Sequence, residues 1–408
     1  MGDDAKITRR EFLKHSAVGA AALGIGALAP ASVLGANERL RLGVIGCGGQ
    51  GTGHLRVLVE RAKDPKQNLA VVAVCDIYEP RKQRAKEISG ARVFHDYREM
   101  LALDDLDAVV IGSPDHWHAQ MSMDAMLAGK DVYCEKPMTL YWREAKRVAE
   151  TAALTGRVFQ VGAQSCSEDR YWKARDLIAR GAVGKLVWTQ SSYSRNSRDG
   201  EWNWSIDAGA SPANLDWQRW LGPAPPRAFD PERYFRVRKY WDYSGGIATD
   251  LFYHQLAHLE VALGPEFPRR VVAGGGTFVF QDREVPDTFH LLVDYPSGHT
   301  VTLLASMANE QGVPEVIRGH EATLTFEGPG VVVRPEHAYQ AERTELRVAA
   351  KPRPGHMDNF LQCVRTRERP ACDAQTGYRV MVAIALGVLA YRQGKAMMFD
   401  PEREELVA

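Results

Sequence analysis

Two short stretches carry side chains suited to taking a hydrogen from a carbon that bears a hydroxyl. Glu135-Lys136-Pro137 follows the apolar run Asp131–Cys134, so Lys136 stands at the open end of a buried strand, fixed by the proline after it. From there its ammonium can point at a substrate hydroxyl. Asp250 and His254 lie four residues apart in a helical pattern and so share a face. An aspartate beside a histidine fixes the ring's tautomer and stabilises the imidazolium once a proton is taken. That suits a histidine that removes the hydroxyl proton while hydride leaves the same carbon. His258 continues the face one turn further on. The spacing Asp-x3-His-x3-His also suits zinc, but no further carboxylate or cysteine signature accompanies it, and no metal is expected.

Hydride needs a carrier, and Arg41–Gly51 offers a place for one. Leu42, Val44 and Ile45 form an apolar run that stops at Gly46, Gly48, Gly49 and Gly51, with Gln50 among them, before a helical pattern over 54–63. A strand that turns through glycines into a helix start presents free N–H groups and a positive helix end, which suits a pyrophosphate. The next apolar run, Leu69–Cys75, ends in Asp76, 25 residues past Gly51. An acid at that place takes ribose hydroxyls and repels a 2′-phosphate, so NAD is expected in preference to NADP. Arg81 and Arg84 nearby pull the other way.

From residue 37 to about 160, strands alternate with helices: strands at 40–45, 69–75, 91–94, 107–111, 131–134 and 157–161, and helices at 80–88, 118–128 and 140–155. Such alternation predicts a doubly wound parallel sheet, with ligands beyond the C-terminal strand ends. Those ends hold Gly46–Gly51, Asp76, Ser113, Pro114, His118, Glu135 and Lys136, the expected cofactor contacts. His118 either packs on the nicotinamide ribose or begins a helix.

Residues 161–408 follow a different grammar: helices at 171–180, 246–263, 357–365 and 377–391, with strands at 185–193, 271–280, 288–295, 300–308, 322–326 and 331–334. They predict an α+β domain built on a large, mostly antiparallel open sheet. Trp188, Trp202, Trp204, Trp217, Trp220 and Trp241, six of the nine tryptophans, are concentrated in and beside the stretch 195–243 with Tyr193, Tyr234, Tyr240 and Tyr243. Either these rings stack on sugar faces, with Arg195, Arg198, Arg236, Arg238 and Asp242 bonding hydroxyls, or they form the core of an extended insertion.

The 51 basic and 51 acidic residues among 408 argue against a nucleic-acid or anionic-membrane partner. The six cysteines show no paired metal spacing. Thr8-Arg9-Arg10-Glu11-Phe12-Leu13-Lys14 precedes an Ala/Gly-rich apolar run from Ala17 to Leu28 and then small residues. Residues 1–36 are expected to be a twin-arginine signal, implying the Tat export machinery as a partner and a periplasmic location.

Together, Gly46-Cys-Gly-Gly-Gln-Gly51, Pro114-Asp-His-Trp-His118, Gly129-Lys-Asp-Val-Tyr-Cys-Glu-Lys-Pro137 and Gly245-Gly246 with Asp250 and His254 resemble the glucose–fructose oxidoreductase / inositol dehydrogenase / MocA family. The resemblance implies a Rossmann domain and an α/β domain whose open sheet forms a homo-oligomer, a dimer or tetramer. It also implies NAD-dependent hydride transfer between nicotinamide C4 and a sugar or cyclitol carbon. On that basis Lys136 and His254 bracket the reacting hydroxyl, Asp250 supports His254, and Tyr193, Arg195, Trp241, Tyr253 and His258 lie on the substrate side. Ala257 stands where many members carry an acid. Exported members also include enzymes with tightly bound NAD that oxidise, eliminate or epimerise, and reduce again, as N-acetylgalactosaminidases do. A non-catalytic binding protein is the third possibility.

Overall fold

The computed structural model describes residues 39–407, so the expected export signal at 1–36 lies outside the described residues. The first half runs β1 (Leu40–Ile45), α1 (Gly49–Ala62), β2 (Leu69–Cys75), α2 (Glu79–Ser89), β3 (Arg92–Phe94), α3 (Tyr97–Leu101), β4 (Ala108–Ile111), α4 (Asp115–Leu127), β5 (Asp131–Cys134), α5 (Trp142–Thr155) and β6 (Phe159–Val161). Its six strands are parallel in the order β3-β2-β1-β4-β5-β6. β4 and β5 are buried at every position, as continuous apolar runs in a covered parallel sheet should be. The order reverses between β1 and β4, and ligands gather at that crevice. The loops after β1 and β4 meet there: a Cβ on Gly46 would come within 2.7 Å of the Ser113 nitrogen.

The second half continues with α6 (Asp169–Ala179), β7 (Leu186–Ser192), α7 (Trp217–Leu221), α8 (Pro231–Phe235), α9 (Tyr253–Leu263), β8 (Arg270–Gly276), β9 (Thr288–Asp294), β10 (Thr300–Ser306), β11 (Val316–Gly319), β12 (Ala322–Glu327), β13 (Gly330–Pro335), β14 (Leu346–Val348), α10 (His356–Thr366), α11 (Ala374–Gln393), β15 (Met397–Asp400) and β16 (Glu405–Val407). Ten strands form one sheet, β14-β13-β12-β11-β7-β10-β9-β8-β15-β16, antiparallel except for the β7–β10 pair. Along β10, Val301, Leu303 and Ala305 are buried while their neighbours are only partly covered, the alternation of a sheet with helices on one face. The long helix α11 packs against β8 and α9 on that face.

Several boundaries differ from the sequence-based expectation for identifiable reasons. Helix α1 begins at Gly49 rather than His54, because glycine propensity matters less in a first turn whose N–H groups stay free. Helix α4 begins at Asp115, so His116 and Trp117 lie inside it rather than ahead of it, and His118 sits within its first turn. Strand β8 stops at Gly276, since the Asp287 carboxylate accepts N–H bonds from Phe278, Val279 and Phe280 and curls that segment away.

Gly46 has φ +82°, which only glycine adopts freely. A Cβ on Gly51 would stand 1.7 Å from the Gly46 oxygen, a backbone atom with nowhere to go. Gly51→Ala is therefore expected to lower the unfolding free energy by about 3 kcal/mol or more. Urea denaturation reads this, and an unchanged midpoint would contradict the close approach of turn and helix.

Candidate active site

The glycine loop has the form of a dinucleotide cradle. Gly48 is the N-cap of α1 and carries no side-chain cap, so the first N–H groups of that helix stay open, and Gly49 and Gln50 are exposed. The Ser113 hydroxyl is buried without a partner across the crevice, and Pro114 caps α4 behind it. Asp76 is 6% exposed, and its carboxylate accepts the N–H of Cys47 (2.7 Å) and of Tyr78 (2.9 Å). It thereby braces the loop, while each oxygen keeps a second lone pair for a hydroxyl. Open helix N–H groups, a strand-end acid and a glycine too crowded for a Cβ fit NAD, which the loop, Asp76 and Ser113 would hold.

At the neighbouring strand end, Lys136 reaches across to the second half of the chain. Its Nζ donates to Asp250 Oδ1 (2.5 Å) and to the Asp250 carbonyl (2.9 Å), with both side chains under 10% exposed. Arg238 Nε lies 2.9 Å from the same Oδ1, and Trp202 Nε1 donates to Oδ2 (3.1 Å). Burial works against this carboxylate, but Arg238 and Lys136 outweigh it and hold its pKa well below the usual range. Removing one member of such a buried pair costs several kcal/mol, because the other charge is stranded.

Among the described residues Asp250 makes no hydrogen bond to His254; it acts on that ring only through its charge, and its carboxylate is engaged by Lys136, Trp202 and Arg238. Residues 248–252 form a π-turn, braced where Thr249 Oγ1 accepts the Gly245 N–H (2.9 Å). There the Asp250 carboxylate is engaged by Lys136. Among the described residues the His254 ring meets no hydrogen-bond partner. Burial, then the Lys136 ammonium, push its pKa down to about 3, against the pull of Asp250 and Glu135. The ring is thus neutral and within the field of Lys136. Tyr193 faces it at 6.2 Å between ring centroids, and the Tyr193 hydroxyl accepts from Arg195 Nη2 (2.8 Å). Arg195 also helps to lower the Asp250 pKa, so Lys136, Asp250, His254, Tyr193 and Arg195 converge.

Three expected substrate contacts lie elsewhere. Tyr253 is fully buried and donates to the Gly377 carbonyl (3.2 Å), because its face of α9 turns into the core. His258 is closed off by Glu315 (2.8 Å), which also accepts from Ser191 and Tyr171, while the Tyr171 ring stacks on it at 4.2 Å. Trp241 packs beside Tyr391 and Arg392 of α11. Two expected cofactor contacts turn out to brace the site. Both nitrogens of His118 meet carbonyls, Pro137 at 2.6 Å and Ser113 at 2.8 Å, tying the two strand-end loops together. Burial opposes charge on that ring, but Cys134, Asp115 and Pro137 outweigh it and raise its pKa to about 10. Glu135, 5% exposed, accepts from Gln50 Nε2 (3.3 Å) and meets His54 Nε2 (2.6 Å), which pins β5 to α1.

Sequence reasoning missed Trp202 as a partner of Asp250 and gave Arg238 only a loose role among five polar residues. Nothing in spacing links residues 202 and 238 to 250; only the folded insertion does. Among the described residues, no group of three His, Cys, Asp or Glu side chains is arranged to hold a metal.

Two family models match, "Oxidoreductase family, NAD-binding Rossmann fold" over residues 40–163 and "Oxidoreductase family, C-terminal alpha/beta domain" over residues 199–408. The chain belongs to the Gfo/Idh/MocA oxidoreductase family. Within it, the chain is 32% identical over 192 residues to an inositol 2-dehydrogenase of Rubrobacter xylanophilus, covering 46% of this chain and 53% of that protein. It is 30% identical over 219 residues to a glycosyl hydrolase family 109 protein of Shewanella, covering 47% of this chain and 46% of that protein. The chain thus spans about half the length of the curated relatives it matches. The WlbA dehydrogenase of Bordetella pertussis, solved with NADH and UDP-GlcNAcA, shares the fold at a TM-score of 0.65 and 20% identity, over 89% of this chain and 98% of that one.

With a pKa near 3, His254 gains no proton between pH 8 and pH 5. NMR of the His254 ring should therefore show no titration step in that range. A step near the ordinary histidine value of about 6.5 would contradict the buried, lysine-facing placement.

Proposed function

We propose that the protein is an NAD-dependent oxidoreductase acting on a ring hydroxyl of a sugar, sugar derivative or cyclitol. The observation that carries this is the convergence of Lys136 and an unpartnered, neutral His254 beside a dinucleotide cradle. When bound, NAD supplies a two-electron acceptor at nicotinamide C4. The chain's own residues do the rest. The Lys136 ammonium favours the developing alkoxide, and the neutral imidazole of His254 has a free nitrogen for the departing proton. Asp250 keeps the Lys136 ammonium in register through its carboxylate and its carbonyl. Tyr193 and Arg195 border the His254 side, where hydroxyls of the substrate would bond.

The twin-arginine stretch at Arg9-Arg10 supports export and work in the periplasm. The uncovered face of the ten-stranded sheet supports a homo-oligomer. Trp188 and Val272, each 38% exposed, lie on it with Leu292 and Leu304, an apolar surface that a second copy would cover. The similarity to a glycosyl hydrolase family 109 protein supports a second reading, in which the same oxidation is transient and a glycosidic bond is cleaved.

Purified protein incubated with NAD and a panel of cyclitols and monosaccharides should form NADH with at least one of them. Lys136→Met should lower kcat by about a thousandfold, the scale of a lost electrostatic contact to the reacting oxygen, while NAD still binds. Release of aglycone from an aryl glycoside with no net NADH would favour the second reading. An active Lys136→Met enzyme would refute the site.

A further inference from the structure

The insertion between β7 and α9 also reaches the parallel sheet. Residues 214–216 pair with the segment after β2: Tyr78 bridges to Leu215, Glu79 N–H donates to the Asn214 carbonyl (2.9 Å), and Asp216 N–H donates to the Ile77 carbonyl (3.2 Å). Tyr78 Oη also donates to Asp207 (2.5 Å). Beyond the end of β4, Trp117 Nε1 donates to the Trp220 carbonyl (2.8 Å), and His116 Nε2 lies 2.9 Å from the same oxygen. Tyr78 is sealed beneath Leu215, Trp217, Trp220, Tyr234 and Tyr243 in a hydrophobic cluster separate from the main core. The insertion therefore crosses the carboxyl edge of the parallel sheet from β2 to β4, along the side where Asp76 stands.

Tyr234 is buried within the insertion; its hydroxyl accepts from Arg81 Nη1 (2.8 Å), and its ring lies 4.7 Å beneath that guanidinium. The guanidinium in turn lies against Gly48, 3.4 Å from where a Cβ would be, over the glycine at which a pyrophosphate approaches. Asp76 is among the charges that raise the Tyr234 phenol. A cation above the glycine loop, clamped from the other half of the chain, has one evident ligand chemistry, the adenosine ribose and phosphates of a dinucleotide.

We propose that residues 207–243 form a strap over the adenosine end of the dinucleotide site and that Tyr234, by holding Arg81 over Gly48, slows release of the nucleotide. The proposal rests on the NAD-dependent function above. For the nucleotide to leave, the strap must lift and expose its aromatic cluster.

The test is exchange of the nucleotide on the full-length protein. NAD is quantified after gel filtration, the site is filled with unlabelled NAD, and loss is followed during a chase with isotopically labelled NAD. Wild type should retain its NAD through gel filtration. Tyr234→Phe keeps the ring but removes the acceptor for Arg81, and it should speed exchange by about tenfold or more, the worth of one hydrogen bond to a charged group. Asp207→Asn loosens the far rim without touching Arg81 and should speed exchange in the same direction. Fast exchange in wild type, or wild-type rates in both variants, would overturn the strap's role and leave the NAD-dependent function standing. Failure of the wild-type protein to bind NAD at any concentration would instead overturn the function itself.

Discussion

A lysine at the end of a parallel strand and an aspartate at a widened helix turn form one buried ion pair across the two halves of the chain. A charge pair so enclosed gains little net stability over an apolar contact, but it is costly to break from either side. Its value lies in geometry. Asp250 meets Lys136 twice, through carboxylate and carbonyl, and meets Arg238 and Trp202 once each. Three segments are thus fixed around one carboxylate, and the ammonium is left beside a histidine that no other side chain among the described residues claims.

The same interaction sets the electrostatics. Burial and the Lys136 charge keep His254 neutral at ordinary pH values. The supporting carboxylate expected for it serves the lysine instead. Charge is placed on the atom that faces the substrate oxygen, and the imidazole stays uncharged until the proton arrives. Elsewhere histidines serve as braces: His118 links two strand-end loops, His54 ties α1 to Glu135, and His258 closes over Glu315.

The parallel half of the fold was legible in the sequence because continuous apolar runs and glycine turns are local signals. β1 and β2 fall where those runs predicted them, and Lys136 and Asp76 stand at strand ends for the same reason. What local patterns could not show was how the turn before α9 is wound. A helical spacing of four suggests a shared face but not which neighbour takes the hydrogen bond, and at the π-turn of 248–252 the Asp250 carboxylate bonds Lys136. Similarly, the apolar faces of Tyr253 and His258 look the same in sequence whether they meet a ligand or a core. The insertion was readable only as aromatic-rich. Most of its rings that the structure buries, Trp217, Trp220, Tyr234 and Tyr243, share one hydrophobic cluster with Tyr78, whereas Trp202 turns to Asp250.

The central claim is that Lys136 and His254 act on a single hydroxyl, and a double-mutant cycle on turnover tests it most directly. Lys136→Met, His254→Ala and the double variant would be compared in kcat with the best substrate of the cyclitol and sugar panel. Groups that act as a unit are non-additive, so the double variant should be little slower than either single one. Losses that multiply, or a single variant with wild-type turnover, would show that the two side chains do not share a reacting atom.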